Sequence, residues 1–352
     1  MLTDKENTLR AIEYRTPEWI PIQFDLMKSV QYRHGPRLVE MMQRHPRLFS
    51  AEQVQAVAST TPPPGVFTEH RFIDDWGCEW LEIEAGILGQ VVGHPLADWR
   101  RLDALRVPDP ARQWDWPAVR SRCRQERAQG KLVHGSMEIV EGGFFDRLQF
   151  LRGLDNLLVD LLERPPELDR LIERVLDYNL RLVHLWLEAG VDLIHFHGDI
   201  AMQNSLMMSP KTFRQVLKPA YKAMFHACRR AGVHVHYSSD GCLFEIVDDL
   251  VECGVSYHDP QVRAGDVAGI ARAYHGKPSS QEGRLCAMVD IDEQRLPFST
   301  PAEIEAQVHE IINRVGLPQG GLMLYACPSA DVPIANIEAI CTAWERYAAR
   351  TT

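Results

Sequence analysis

The chain has 352 residues, 45% of them hydrophobic and 24% charged, the balance of an ordinary folded globular protein. Its formal net charge of -10 argues against a nucleic-acid binder, whose affinity rests on clustered Lys and Arg. No run of about 18 uncharged apolar residues occurs, and the charged start, Met1 to Asn7, lacks the apolar core of a signal peptide. A cytoplasmic setting with no membrane partner is expected. The cysteines (Cys78, Cys123, Cys228, Cys242, Cys253, Cys286, Cys327 and Cys341) are scattered and form no C-x-x-C pair, so they read as buried thiols or ligands rather than a disulfide framework.

Along the chain, Thr61-Pro62-Pro63-Pro64-Gly65 forces a turn or a polyproline segment. The stretch from Arg71 to Val92 mixes aromatics, glycines and alternating apolar residues, the pattern of short strands and hairpins. Pro108-Asp109-Pro110 breaks the chain again. From about residue 131 short apolar runs alternate with longer amphipathic ones. Strands are expected at Lys131–Met137, Val191–His197, Val233–Ser238, Val255–His258, Leu285–Val289 and Gly321–Ala326. Helices are expected between them: Pro166–Glu188, Ser209–Arg230 with Ser209 as N-cap, Leu243–Cys253 ended by Gly254, and Pro301–Val315 ended by Gly316.

Strand–helix alternation predicts a parallel sheet. No G-x-G-x-x-G follows a strand, which weakens a dinucleotide-binding arrangement. The expected fold is therefore α/β, a (β/α)8 TIM-type barrel forming one domain over residues 1–352, with an irregular insertion at about residues 60–130. Such barrels need roughly 250 residues and carry their chemistry at the C-terminal ends of the strands.

Four strand ends carry polar groups that a purely structural barrel does not need. They are His195-Phe196-His197-Gly198-Asp199, His234 to Asp240, His258-Asp259-Pro260 and Ala326-Cys327-Pro328. Alternate strand residues share a face, so His195 and His197 point one way, as do His234, His236 and Ser238. Imidazole, thiol and carboxyl groups meeting at one mouth suit zinc; the other reading is a set of hydrogen-bonded strand-end residues. Asp199 and Gln203 follow His197 and serve either the site or a turn. Glu138 and Glu141, beside Gly142-Gly143, are open to the same two readings.

At these residues the chain resembles the uroporphyrinogen decarboxylase-like superfamily, nearly end to end. The similarity runs through Lys5 to Ile12 with Ile20-Pro21-Ile22, Asp75-Trp76-Gly77-Cys78, Gly86 to Val91, His94-Pro95-Leu96 and Phe145-Asp146-Arg147. It continues through Leu151-Arg152-Gly153, Gly198-Asp199 to Gln203, Met208-Ser209-Pro210, Leu217-Lys218-Pro219 and Asp331 to Ala339. True decarboxylases of this group grip porphyrin carboxylates with an arginine-rich N-terminal segment. Here the corresponding Ile22-Gln23-Phe24-Asp25-Leu26 has no arginine. The chain is more similar to the corrinoid-linked methyltransferase branch.

That resemblance implies a zinc site built from a His-x-Cys at a strand end and a late cysteine. Cys327 matches the late cysteine. Aligning Asp240-Gly241 with the family's Cys-Gly puts Asp240 in the cysteine's place and Ser238 in the histidine's, with His236 one strand period earlier on the same face. The implied metal set is His236, Asp240 and Cys327. His197 and Asp199 are the expected catalytic pair, and Gln203, Tyr237 and Glu141 the expected substrate contacts. The resemblance further implies methyl transfer between a small O-, S- or N-methyl compound and a corrinoid (cobalamin) carried on a partner protein, and it is compatible with a homodimer. The alternative is a metal-independent decarboxylase of a small cyclic or aromatic acid.

Overall fold

A computed structural model describes residues 2–63, 69–137, 143–275 and 284–348. Pro64 and Gly65 of the proline-rich turn, and Glu138, Glu141 and Gly142, lie outside the described residues. The strands in chain order are β1 (Ile22–Phe24), β2 (His70–Ile73), β3 (Glu79–Glu82), β4 (Gln90–Gly93), β5 (His134–Met137) and β6 (Leu193–His197). They continue with β7 (His234–Ser238), β8 (Tyr257–His258), β9 (Cys286–Val289) and β10 (Leu322–Ala326). Seven of them form one parallel sheet in the order β1-β10-β9-β8-β7-β6-β5. Curled with its helices outside, this is a (β/α)8 TIM-type fold, as the strand–helix alternation predicts.

Strand alternation splits the sheet residues between two packed layers. Ile194, Phe196, Val235, Tyr237, Ala287, Val289, Leu322 and Leu324 face outward into the main core with the helices. Leu193, Tyr257, Cys286, Met288 and Met323 face inward, where Ala11, Ile12 and Tyr14 of the first helix region pack against them. Each fully buried side chain of this size contributes about 1.5–3 kcal/mol. The long helix Pro166–Ala189 buries Leu168, Leu171, Val175, Leu182 and Trp186, one stripe at helical spacing, against the outer face.

The expected Ser209–Arg230 helix forms with Ser209 as its cap, but residues 213–217 widen into a π-helical turn before Lys218–Arg230. Pro219 lacks an N–H and crowds the carbonyl four residues back, and a wider turn accommodates both. The helix Val247–Cys253 ends at Gly254, whose φ of 98° is the left-handed conformation expected of a C-cap glycine.

Between β1 and β5 the described residues add no strand to the barrel sheet. Strands β2, β3 and β4 pair antiparallel as a separate small sheet, which is where the hairpins were expected. Asp74 ties this sheet to the helix Phe144–Arg152 that follows β5. Its carboxylate accepts from the N–H groups of Trp76 (3.0 Å) and Cys78 (2.8 Å), from Trp80 Nε1 (3.1 Å) and from Arg147 Nη1 (2.8 Å). The Arg147 guanidinium also lies 5.0 Å from the centre of the Trp76 ring. Among the described residues no helix is long and apolar enough to cross a membrane.

Candidate active site at the barrel mouth

Register fixes which strand residues meet. His195 lies beside His236, and His197 beside Ser238, on the paired strands β6 and β7. Their inward side chains, with those of Asp259 after β8, Asp290 after β9, Tyr325 and Cys327 on and after β10, and Gln23 and Asp25 at β1, line a cavity of about 580 Å³. Among the described lining residues are five carboxyl groups (Asp25, Asp240, Asp259, Asp290 and Glu293) and no Lys or Arg.

One side of the mouth is an ion cluster. Asp146, in the first turn of helix Phe144–Arg152, is only 2% exposed. Its Oδ2 lies 3.1 Å from His197 Nδ1, and its Oδ1 accepts from the Asp199 N–H at 3.3 Å. The Asp199 carboxylate lies 3.6 Å from His197 Nε2 and accepts from the Asp240 N–H at 2.8 Å. Burial alone would lower the His197 pKa, but the hydrogen bond and charge of Asp146, with Asp199 and Asp259 behind it, raise it to about 9. His197 is therefore an imidazolium at neutral pH. Burial lifts Asp199 to about 6, helped by the Asp240 and Asp146 carboxyls and opposed by His197.

The other side holds a neutral imidazole. His236 is 4% exposed, stacks on Tyr257 with ring centres 4.1 Å apart, and shares a hydrogen bond between its Nδ1 and that of His195 at 2.7 Å. Burial, then the repulsion of His134 and His197, push its pKa down to about 3. Its Nε2 is buried with no hydrogen-bond partner, and so is Asp259 Oδ1. The other Asp259 oxygen lies 3.7 Å from His236 Nε2 and accepts from Ser238 Oγ at 2.7 Å. Cys327 is half-buried, and burial with the Glu293 and Asp25 carboxyls raises its thiol to about 12. Burial likewise lifts Glu293 to about 7.

The expected residues fall in different places. His197, His236, Asp240 and Cys327 all line the cavity. Asp240 is exposed, accepts from Gln261 Nε2 at 2.9 Å, and is carried on a turn that needs Gly241. Gly241 has φ 90°, and a Cβ there would lie 2.6 Å from the Met202 carbonyl oxygen. Among the described residues, the group of three whose ligand atoms all lie within 4.8 Å of one another is Asp146, His197 and Asp199. His236, Asp240 and Cys327 share the cavity without reaching that spacing.

Tyr237 requires a correction. Between His236 and Ser238 it must face outward, and it is fully buried among Tyr221 and Phe225, its hydroxyl donating to the Gly198 carbonyl at 2.8 Å. It does not touch the cavity. Gln203 sits exposed in the turn closed by Met202 N–H and the Ser205 carbonyl, and it too is absent from the cavity lining. Sequence reasoning passed over Glu293, and named Asp146, in the Phe145-Asp146-Arg147 resemblance, and Asp259 without giving either a role.

A TIM-type barrel whose polar groups gather at the C-terminal strand ends has the architecture of an enzyme scaffold. A family model described as uroporphyrinogen decarboxylase (URO-D) matches residues 75–347. The chain belongs to this family. Among solved structures it is similar to a methyltransferase from Methanosarcina mazei, at 17% identity and TM-score 0.65, covering 99% of each chain. At that identity the match speaks to the fold. A B12-independent methionine synthase from Shewanella sp. W3-18-1 matches at 11% identity and TM-score 0.36 over 65% of each chain, too weakly to carry an argument. No curated protein matches the sequence.

Proposed function

We propose that the chain is a methyltransferase, moving a methyl group between a small O-, S- or N-methyl compound and a corrinoid carried by a partner protein. The observation that carries this reading is the cavity lining, which offers imidazole, thiol and five carboxyl groups and, among the described residues, no Lys or Arg. A polycarboxylate such as a porphyrin needs charge-assisted partners, and this lining repels it. Demethylation needs instead a proton or a Lewis acid at the departing heteroatom, and the mouth has groups for both.

His197 is the proton donor in this scheme. Asp146 holds its Nδ1 side, leaving Nε2 beside Asp199 on a residue that lines the cavity, to protonate an alkoxide, thiolate or amine as it leaves. Asp199 positions that proton and is itself held through the Asp146 carboxylate. A docked corrinoid would supply a strongly nucleophilic cobalt.

The imidazole, thiol and carboxyl groups of the cavity are the donor types a divalent cation takes, and zinc is the ion the resemblance implies. A metal takes imidazole in its neutral form. His236 is neutral with a buried, unpartnered Nε2, whereas His197 holds its proton between two carboxylates. On the resemblance, His236 and Cys327, with Asp240, would hold the zinc once drawn closer together than they stand here, and the unpartnered Asp259 Oδ1 lines the same cavity. A bound zinc would polarise the leaving heteroatom.

The test is a methyl-transfer assay with a reduced corrinoid protein and a panel of methyl ethers, thioethers and methylamines, alongside metal analysis, of wild-type, His236→Ala, Cys327→Ala and His197→Gln proteins. Transfer that depends on His197, with zinc lost in the first two variants, is expected. Carbon dioxide release from small cyclic acids without corrinoid, and no methyl transfer, would replace this reading with decarboxylation.

A further inference from the structure

The seven-stranded sheet does not close on itself among the described residues. Strands β1 and β5 are its two edges, and the described residues between them form helices and the small separate sheet, with no further strand of the barrel among them. A closed barrel of this kind has its interior filled by side chains. Here a second cavity, about 790 Å³, lies beside the gap. It is bounded by the approach to β1 and by β1 itself, by Lys131, Leu132 and His134 at the entry to β5, by inward-facing Met323, and by Trp344 of the last helix.

Gln23, Asp25, His134 and Tyr257 line both this cavity and the one at the mouth. They form the neck between the two. His134, the first residue of β5, faces inward with Ser136 and is exposed on the side of this cavity. Charges around the side cavity are mixed, with Lys5 paired to Asp192 at 2.7 Å, and its walls carry Trp19, Leu48 and Leu132. Such a lining suits a small neutral molecule with an apolar part.

We propose that the gap between β1 and β5 is a second entrance, through which small neutral molecules reach Cys327 and His236 from the side of the barrel. The route stands on the geometry alone. Its use rests on the methyl-transfer reading, since a partner protein covering the mouth would leave the side as the path for methyl donor and demethylated product.

The test needs neither corrinoid nor methyl donor. The probe is methyl methanethiosulfonate, a small neutral thiol reagent, and the readout is its rate of modification of Cys327, quantified by peptide mass spectrometry. Cys242, half-buried and outside both linings, is the internal reference. Met27 lines only the mouth cavity and Leu132 only the side cavity, so Met27→Trp narrows one route and Leu132→Trp the other. In the Met27→Trp background, adding Leu132→Trp should slow Cys327 labelling by about three-fold or more, and Leu132→Ala should speed it, with Cys242 unchanged. If Leu132→Trp fails to fold, the Leu132→Ala acceleration decides. Cys327 rates that ignore residue 132 in both directions, or that change only in step with Cys242, overturn the second entrance while leaving the methyl-transfer reading intact.

Discussion

His197 and His236 sit on adjacent strands, line the same cavity, and differ in charge, one cationic and one neutral. His197 meets the Asp146 carboxylate at 3.1 Å and is held near a pKa of 9. His236 meets another histidine and a tyrosine ring, and is held near 3. The residue type is the same, so the neighbours decide. One imidazole stores a proton and the other offers a lone pair, as a site needs if it is to combine acid catalysis with metal binding.

The strongest way to break this contrast is Asp146→Ala. It strands a buried imidazolium and removes the acceptor of the Asp199 N–H, and should cost about 3–5 kcal/mol of stability in a denaturant titration. In a folded Asp146→Asn protein the His197 titration, followed by imidazole NMR, should move from about 9 toward the ordinary value of about 6.5. A His197 pKa unmoved by that substitution would show that Asp146 is not its stabilising partner.

The next effect is on pH dependence. A pKa raised on folding favours the protonated native state, so the His197 contribution, up to about 3 kcal/mol, is complete below about pH 6.5 and lost as pH rises through about 9. Asp199, raised to about 6, runs the same way between about pH 4 and 6. Wild-type stability should therefore decline between about pH 6.5 and 9, and the decline should be largely absent in His197→Gln. His236, by contrast, should show no NMR titration from about pH 5 upward.

The smallest effect separates the two faces of β7. Tyr237→Phe gives up one buried hydrogen bond to the Gly198 carbonyl, worth about 1 kcal/mol, and should leave KM unchanged because the side chain points away from the cavity. A raised KM with unchanged stability would put that face of the strand at the site after all.

The barrel from β5 to β10 was legible because apolar runs and amphipathic stretches alternate strictly there. All six expected strands appear, shortened by one to three residues at their N-terminal ends. β1 escaped the pattern because it has three residues and follows Pro21. The same period of two that placed His195, His197 and His236 inward also excluded Tyr237 and selected Asp259 over His258. His258 faces outward, where the Tyr274 hydroxyl lies 2.5 Å from its Nδ1. Apart from its place in the Phe145-Asp146-Arg147 resemblance, Asp146 left one local signal, an acid in the first turn of a helix after a strand. Its partnership with His197 spans 51 positions of chain, and no periodicity encodes that.

Asp146 and Arg147 are consecutive residues of one helical turn with separate attachments. The first clasps the imidazolium of His197, and the second clasps Asp74 at the base of the β2–β4 sheet. The anchor of the small sheet and the partner of the imidazolium thus share a single helical turn, with no loop between them. A change that loosens the small sheet, such as Asp74→Ala, should therefore also shift the His197 titration followed by NMR.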